Sequence, residues 1–428
     1  MIKKSLFGVI PPSFSYDRYG EDFKSVTIQT PDSVTLLIEK EPDFPVARSI
    51  LKTGDTVDKN EVLKINDNAI NYVVTPISGE IIDISHYSGF YGREHHAIKV
   101  KAVSNDKADN IFADFKDKAD ISNALKYLKG IPGSPDFSVF KEFQIDTVVI
   151  NCADTDMGVF TNQYILNSAG PTIKIGIESL KSISGNNELK IILAIPDNLI
   201  KPDELSNYDH VSVGSKYPSA FPIPICEDLM GTNIPSDSSP EEQGVCFFSS
   251  QSVASVGIAY SEGTIPFEKT ITVTKKDGSI QFVKADIGTP LNSIFSELGI
   301  ELKDGDRIID GGLMTGNTVY SVFQPVLADT DGLIIQDSFD VTISSDTPCI
   351  NCGDCIRVCP SKIQVSMLVR YIEAGQYEDA LDMYDLDSCI ECGICSYVCV
   401  AKIPVLQFIK LAKHELGLKE KEMEETDA

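Results

Sequence analysis

The residues best equipped to do chemistry are cysteines. Eight of the eleven lie between positions 349 and 399, in two runs of four. Cys349, Cys352, Cys355 and Cys359 are followed by Pro360, and Cys389, Cys392, Cys395 and Cys399 repeat the spacing with Val400 in the proline's place. This C-x2-C-x2-C-x3-C arrangement is the ligand spacing of bacterial two-cluster ferredoxins. Three thiolates on one tight turn can each take an iron corner of a cubane, and the fourth, just past the turn, points away to a second cluster. The expected sets are therefore crossed: Cys349, Cys352, Cys355 and Cys399 for one [4Fe–4S] cluster, Cys389, Cys392, Cys395 and Cys359 for the other. Two zinc sites are the plain alternative, but zinc uses separated C-x2-C pairs, and the doubled spacing disfavours it.

Positioning such runs takes a small apolar scaffold. Val365, Leu368, Val369 and Ile372 make a helical stripe, and Ala380, Leu381 and Tyr384 make another beyond Gly375. Two helices between the runs predict an all-helical ferredoxin domain over 345–416, rather than one built on hairpins. A further amphipathic helix continues over 403–416. Residues 417–428 read as an acidic, frayed tail.

The rest of the chain divides by periodicity into a multidomain α+β protein. Residues 1–104 read as β, with turns at Gly54-Asp55 and at Pro76-Ile77-Ser78-Gly79, and are similar to the barrel-sandwich hybrid of lipoyl and biotinyl domains. Neither turn offers the lysine that a swinging-arm carrier needs. His86, His95 and His96 fall in this stretch, and neighbours on a strand point to opposite faces, which disfavours a shared metal. Residues 115–262 alternate helix and strand, with apolar runs at 147–150 and 191–195 of the kind buried in a parallel sheet, predicting a Rossmann-like α/β domain. Residues 263–335 fit a β-grasp, SLBB-like module with one helix. The segment 311–316, Gly-Gly-Leu-Met-Thr-Gly, has no lysine and no following helix, so it is weak ground for a phosphate site. Cys152, Cys226 and Cys246 read as plain core, and Cys152 stands out only for the nearby Asp154 and Asp156.

Composition narrows the function classes. With 37 basic and 63 acidic residues the formal charge is −26, the wrong sign for a nucleic-acid binder. No apolar run approaches the roughly 18 residues needed to cross a bilayer. The charged start at Lys3-Lys4 is cut short by Pro11-Pro12, unlike a signal peptide. Clustered cysteines suit a reducing, cytoplasmic setting better than a disulfide framework.

The order of these units, with the two cysteine runs, Lys402-Ile403-Pro404, the 311–316 segment and the opening Gly8-Val9-Ile10-Pro11-Pro12, resembles the C subunit of the Rnf ion-translocating electron-transport complex. The resemblance covers nearly the whole chain. It implies a cytoplasmic protein, peripheral on the cytoplasmic face of the cell membrane, docked on the other subunits and passing electrons between a soluble donor and an ion-pumping core. Members that use NADH carry a GxGGAxFP loop for flavin and nucleotide phosphates. The matching stretch, Gly130-Ile131-Pro132-Gly133-Ser134-Pro135-Asp136-Phe137, has lost the paired glycines and gained prolines, which lack amide donors. Gly130, Gly133, Asp154 and Asp156 are what remains of a flavin/NADH site, so the reading sets FMN and NADH aside and favours reduced ferredoxin as donor. The alternatives are an NADH-oxidising flavoprotein with a divergent nucleotide site, and a soluble carrier serving a cytosolic reductase. Arg357, Lys362, Arg370, Lys402, Lys410 and Lys413 could form a basic docking patch in the ferredoxin region, or could be solvated helix faces.

Overall fold

The computed structural model describes residues 12–17, 24–40, 49–66, 69, 71–103, 108–235, 238–345 and 347–427. Of the opening motif, residues 8–11 lie outside them. The chain forms a mixed α+β, multidomain structure with its helical cysteine-bearing unit at the C-terminal end.

Strand Ser33–Glu39 alternates buried and half-buried residues, the period-2 pattern of a strand with one face on a core. It pairs antiparallel with Glu94–Ala102, which pairs with Gly79–Ser88 and then Thr56–Val57. Val34, Leu36, Ile38, Ile81, Ile98 and Val100 fill the space beneath. His86 stands directly opposite His96 across this ladder. Among the described residues, no three His, Cys, Asp or Glu side chains converge tightly enough for a single metal ion.

In the α/β region four strands run parallel in the order Asp209–Val213, Lys190–Pro196, Thr147–Asn151 and Val245–Ser249. Val148 and Ile150 share a core with helices Gly170–Ser184 and Ser250–Glu262, while Val149 faces helix Pro222–Met230. Both faces are covered, which is why these strands are continuous apolar runs. The two long helices cross so closely that a Cβ on Gly176 would lie 2.0 Å from the Val253 carbonyl, and one on Gly257 2.0 Å from that of Thr172.

A six-stranded mixed sheet follows, in the order Ser25–Thr27, Ile280–Asp286, Glu268–Thr274, Gly332–Gln336, Arg307–Asp310 and Asn317–Val319, with helix Leu291–Glu297 packed on it. Two expectations change here. The stretch 1–104 is shared out rather than forming one unit: Ser25–Thr27 pairs with Phe282–Lys284, and residues 14–16 lie against the α/β and cysteine-bearing regions. These short segments carry too few apolar positions to announce a partner, and distant strands supply the pairing. The tail also differs, because the last helix runs unbroken over Val405–Asp427.

Candidate functional site: two four-cysteine pockets

The two cysteine runs fold as copies of one another, offset by 40 residues. Asn351, Gly353 and Lys362 take left-handed backbone angles, and so do their counterparts Glu391, Gly393 and Lys402. Each Cys-x2-Cys-Gly turn uses the glycine at positive φ to start a short helix, Asp354–Val358 in one copy and Ile394–Tyr397 in the other. Gly393 is needed for a second reason: a Cβ there would sit 2.3 Å from the Met314 carbonyl oxygen.

Tertiary packing crosses the sets. Cys389, Cys392, Cys395 and Cys359 line one cavity, with Ile363, Ile409 and other apolar side chains. Cys349, Cys352, Cys355 and Cys399 line a second, walled by Ile350, Val369, Val400 and Val405. Helices Val365–Glu373 and Tyr377–Tyr384, separated at Gly375, pack with the last helix into the apolar core around both. The donors suit an iron–sulfur cluster: four sulfurs per cavity, apolar walls, and a spread too wide for one tetrahedral ion with metal–sulfur bonds of about 2.3 Å. As thiols, Cys389, Cys392 and Cys395 are strongly disfavoured from ionising. Burial pushes Cys389 up to about 11 and Cys392 to about 12, and raises Cys395 well above its ordinary value; Cys355 of the outer set also rises to about 11. A cationic metal centre must therefore offset the charge of the thiolates, so iron binding and thiol deprotonation are coupled. Backbone amides of Glu391 and Ile403 each donate to a sulfur, Cys389 Sγ and Cys399 Sγ, at 3.4 Å.

The two pockets differ in their surroundings. The inner one is covered on its Cys392 side by the rest of the chain. Tyr217, itself buried, donates its hydroxyl to the Cys392 carbonyl at 2.6 Å, and Cys392 and Ile394 pack with Phe14, Met157 and Met314. Lys413 Nζ donates to the Cys389 carbonyl at 2.8 Å and Lys410 Nζ to that of Thr315 at 2.8 Å. These contacts leave no mark in the sequence, since each joins residues far apart along it. The outer pocket opens to solvent, and Cys352 is exposed. The six basic side chains accordingly separate. Lys410 and Lys413 turn inward, Arg357 pairs with Asp354, and Lys362, Arg370 and Lys402 are exposed.

The four residues of the expected flavin/NADH remnant do not share a cavity. Gly130 borders a cleft of about 650 Å³ between the β-rich units and the last helix, whereas Asp154 borders a separate one at the carboxyl ends of the parallel strands. Gly133 packs so tightly on Ser252 that a Cβ would lie 2.4 Å from its nitrogen, and its amide donates to the Ala328 carbonyl. The Asp154 carboxylate accepts the amides of Asn162 and Gln163 at 2.8 and 3.3 Å, holding the start of helix Thr161–Ser168. Burial pushes its carboxyl up to about 7, against the opposing pull of those amides. Asp156 clasps the 311–316 segment, accepting from Met314 N at 3.0 Å and from Thr315 N and Oγ1 at 2.7 Å each. Both carboxylates are thus committed to the fold, and the residues present do not fit a flavin at these positions. Cys152, Cys226 and Cys246 are all buried, and burial together with Asp154 raises the Cys152 thiol, which suits core and not a nucleophile.

A family model for a 4Fe-4S dicluster domain matches residues 348–403. The C subunit of the Na(+)-translocating ferredoxin:NAD(+) oxidoreductase complex of Acetobacterium woodii is 23% identical over 77% of this chain and 79% of that protein. The proton-translocating counterpart of Clostridium ljungdahlii is 23% identical over 90% and 88%. The C subunit of the ion-translocating oxidoreductase complex of Pseudomonas aeruginosa is 24% identical over 78% of this chain but 46% of its own length. Among solved structures, a chain of the NAD+-reducing [NiFe]-hydrogenase in the H2-reduced state gives a TM-score of 0.46 at 11% identity, over 71% of this chain and 64% of that one, a likeness too slight to carry an argument. With its match to an iron–sulfur dicluster domain at 348–403 and 23–24% identity to these three relatives over 77–90% of its length, the chain is a homologue of the C subunits of Rnf-type ion-translocating oxidoreductase complexes.

Proposed function

We propose that this protein is an electron-relay subunit of an Rnf-type membrane complex, holding two [4Fe–4S] clusters and receiving electrons from reduced ferredoxin rather than NADH. The observation that carries this reading is the pair of cavities, each rimmed by three cysteines of one run and the fourth of the other. In the proposal Cys349, Cys352, Cys355 and Cys399 hold the outer cluster, and Cys389, Cys392, Cys395 and Cys359 hold the inner one. The clusters supply one-electron redox chemistry when bound. The chain's own residues keep the two centres side by side, exclude water with Val369, Val405 and Ile409, and donate amide hydrogen bonds to sulfur, which together set potentials.

The remaining units serve as scaffold: a barrel-sandwich hybrid within 1–104, a Rossmann-like domain over 115–262, a β-grasp module over 263–335, and the helical ferredoxin domain over 345–416. The setting is the cytoplasmic face of the membrane, as a peripheral subunit; among the described residues no helix is long and apolar enough to cross it. The Gly133 amide, spent on Ala328, and the Asp154 carboxylate, spent on Asn162, are what disfavours FMN and NADH.

The test is anaerobic bleaching of cluster absorbance by NADH and by reduced ferredoxin in parallel, with flavin released by acid and iron counted. About eight irons per chain, no flavin and bleaching by ferredoxin alone are expected. Flavin with bleaching by NADH would make the chain a dehydrogenase subunit instead.

A further inference from the structure

The internal repeat exposes an asymmetry. Ile350 and Ile390 occupy the same place in the two runs, each directly after the first cysteine. Ile390 is partly buried against the cluster of Tyr217, Ile394 and Met314, so that face of the second run is docked on the body of the protein. Ile350 remains 61% exposed, and so does Val400, although both line the outer four-cysteine cavity. Ile343, 78% exposed, extends the apolar surface from the neighbouring segment, where the Ser345 amide bonds the Lys402 carbonyl.

The substitutions between the copies follow the same division. Where the second run has Ile394, buried on the body, and Tyr397, which meets Phe14 edge-on but is itself 63% exposed, the open run has Asp354 and Arg357, ion-paired to each other. The Arg357 guanidinium also donates to the carbonyl of the exposed Cys352, at 3.1 Å. Together with exposed Lys402, this rim holds two cations and one anion among the described residues, in a chain with 63 acidic and 37 basic residues. A small apolar centre with a polar, locally cationic border suits transient contact and not permanent assembly.

We propose that the face formed by Ile350, Val400, Arg357 and Lys402 is the docking site of an acidic one-electron carrier protein, which meets the outer cluster there. The inference rests on the ligand assignment proposed above and adds where, and to what kind of partner, the relay opens. One electron leaves the reduced carrier and enters the oxidised outer centre. The carrier is oxidised by one electron, the centre is reduced by one, and no bond forms or breaks. The carrier's acidic border is drawn to this rim and repelled by most of the remaining surface, which fixes its orientation.

The test uses the full chain with its clusters reconstituted, mixed by stopped flow with a reduced, acidic two-[4Fe–4S] ferredoxin, and separately with dithionite. Ile350→Glu should lower the second-order rate about tenfold and Lys402→Glu about threefold, the wild-type rate should fall with added salt, and dithionite reduction and iron content should not change in Lys402→Glu. Ile200→Glu, at an 84% exposed position in the α/β region, is the charge control and should react like wild type. Wild-type rates in both rim variants, or an equal loss in Ile200→Glu, overturn the proposal. Should Ile350→Glu shed iron, Lys402→Glu decides, since its side chain lies in solvent. A wild-type chain that keeps both clusters and responds to dithionite but not to ferredoxin sinks the docking site and the ferredoxin donor, and leaves the ligand assignment standing. Failure to hold eight irons sinks the ligand assignment beneath it as well.

Discussion

Replacing Asp156 by alanine should loosen the segment that seats the inner cysteine pocket. The carboxylate is 6% exposed and accepts four hydrogen bonds, from the amides of Met157, Met314 and Thr315 and the hydroxyl of Thr315. Hydrogen bonds to a charged group contribute about 1.5–3 kcal/mol each, but desolvating the carboxylate offsets much of that sum. Truncation also strands two half-buried amides of the 311–316 segment, each costing about 1–3 kcal/mol. The unmade bonds of these partners together cost about 3–5 kcal/mol. The effect is local, because Gly312 rests on the Asp156 side chain and Met314 abuts Gly393 beside Cys392. Hydrogen exchange read by mass spectrometry on a peptide spanning 311–317 measures it directly. Protection there should fall by roughly two to three and a half orders of magnitude, at 1.4 kcal/mol per tenfold, while the strands of the α/β sheet keep theirs. Protection within tenfold of wild type would mean that the clasp is incidental and that the segment is held by other contacts.

Other outcomes follow from the same structure. Cys359→Ala should lower iron from about eight to about four per chain and remove the centre whose other cysteines lie 30 or more positions downstream; loss of the Cys349 centre instead would refute the crossed sets. Gly257→Ala should destabilise the α/β region by about 1–3 kcal/mol in urea unfolding, because the added methyl meets the Thr172 carbonyl and overrides any gain in helix propensity; unchanged stability would refute the close crossing. Burial raises both Asp154 and Asp310 to about 7, so the folded chain keeps protons that the unfolded chain loses near 3.8, and these groups make stability fall as pH rises from about 4 to about 7. Asp154→Asn should flatten its part of that slope, at most about 2 kcal/mol between urea midpoints at pH 5.5 and 8; an unchanged slope refutes the assignment.

Much of the chemistry lies within short stretches and is legible as such. Four cysteines in eleven residues specify a ligand set through spacing alone, because the turn that presents them is local, and the glycine after the second cysteine marks its left-handed step. The continuous apolar runs at 147–150 and 191–195 announce a sheet covered on both faces for the same reason: burial on either side leaves no polar alternation. The two helices between the runs show in their 3.6-residue stripes.

What the tertiary structure alone decides depends on pairs distant in the chain. Asp154 and Asp156 look like site carboxylates until their partners, Asn162 on the next helix and Thr315 on another domain, show that they hold the fold together. Ser25–Thr27 joins a sheet whose next strand lies some 250 residues on. Ile350 and Ile390 are the same residue in the same motif, and nothing local tells them apart. One is covered and the other open because Tyr217 and Met314 pack on one copy only. Spacing sets which atoms can bind iron, whereas burial, a sum over long-range contacts, sets which of the two cysteine pockets faces inward and which is open.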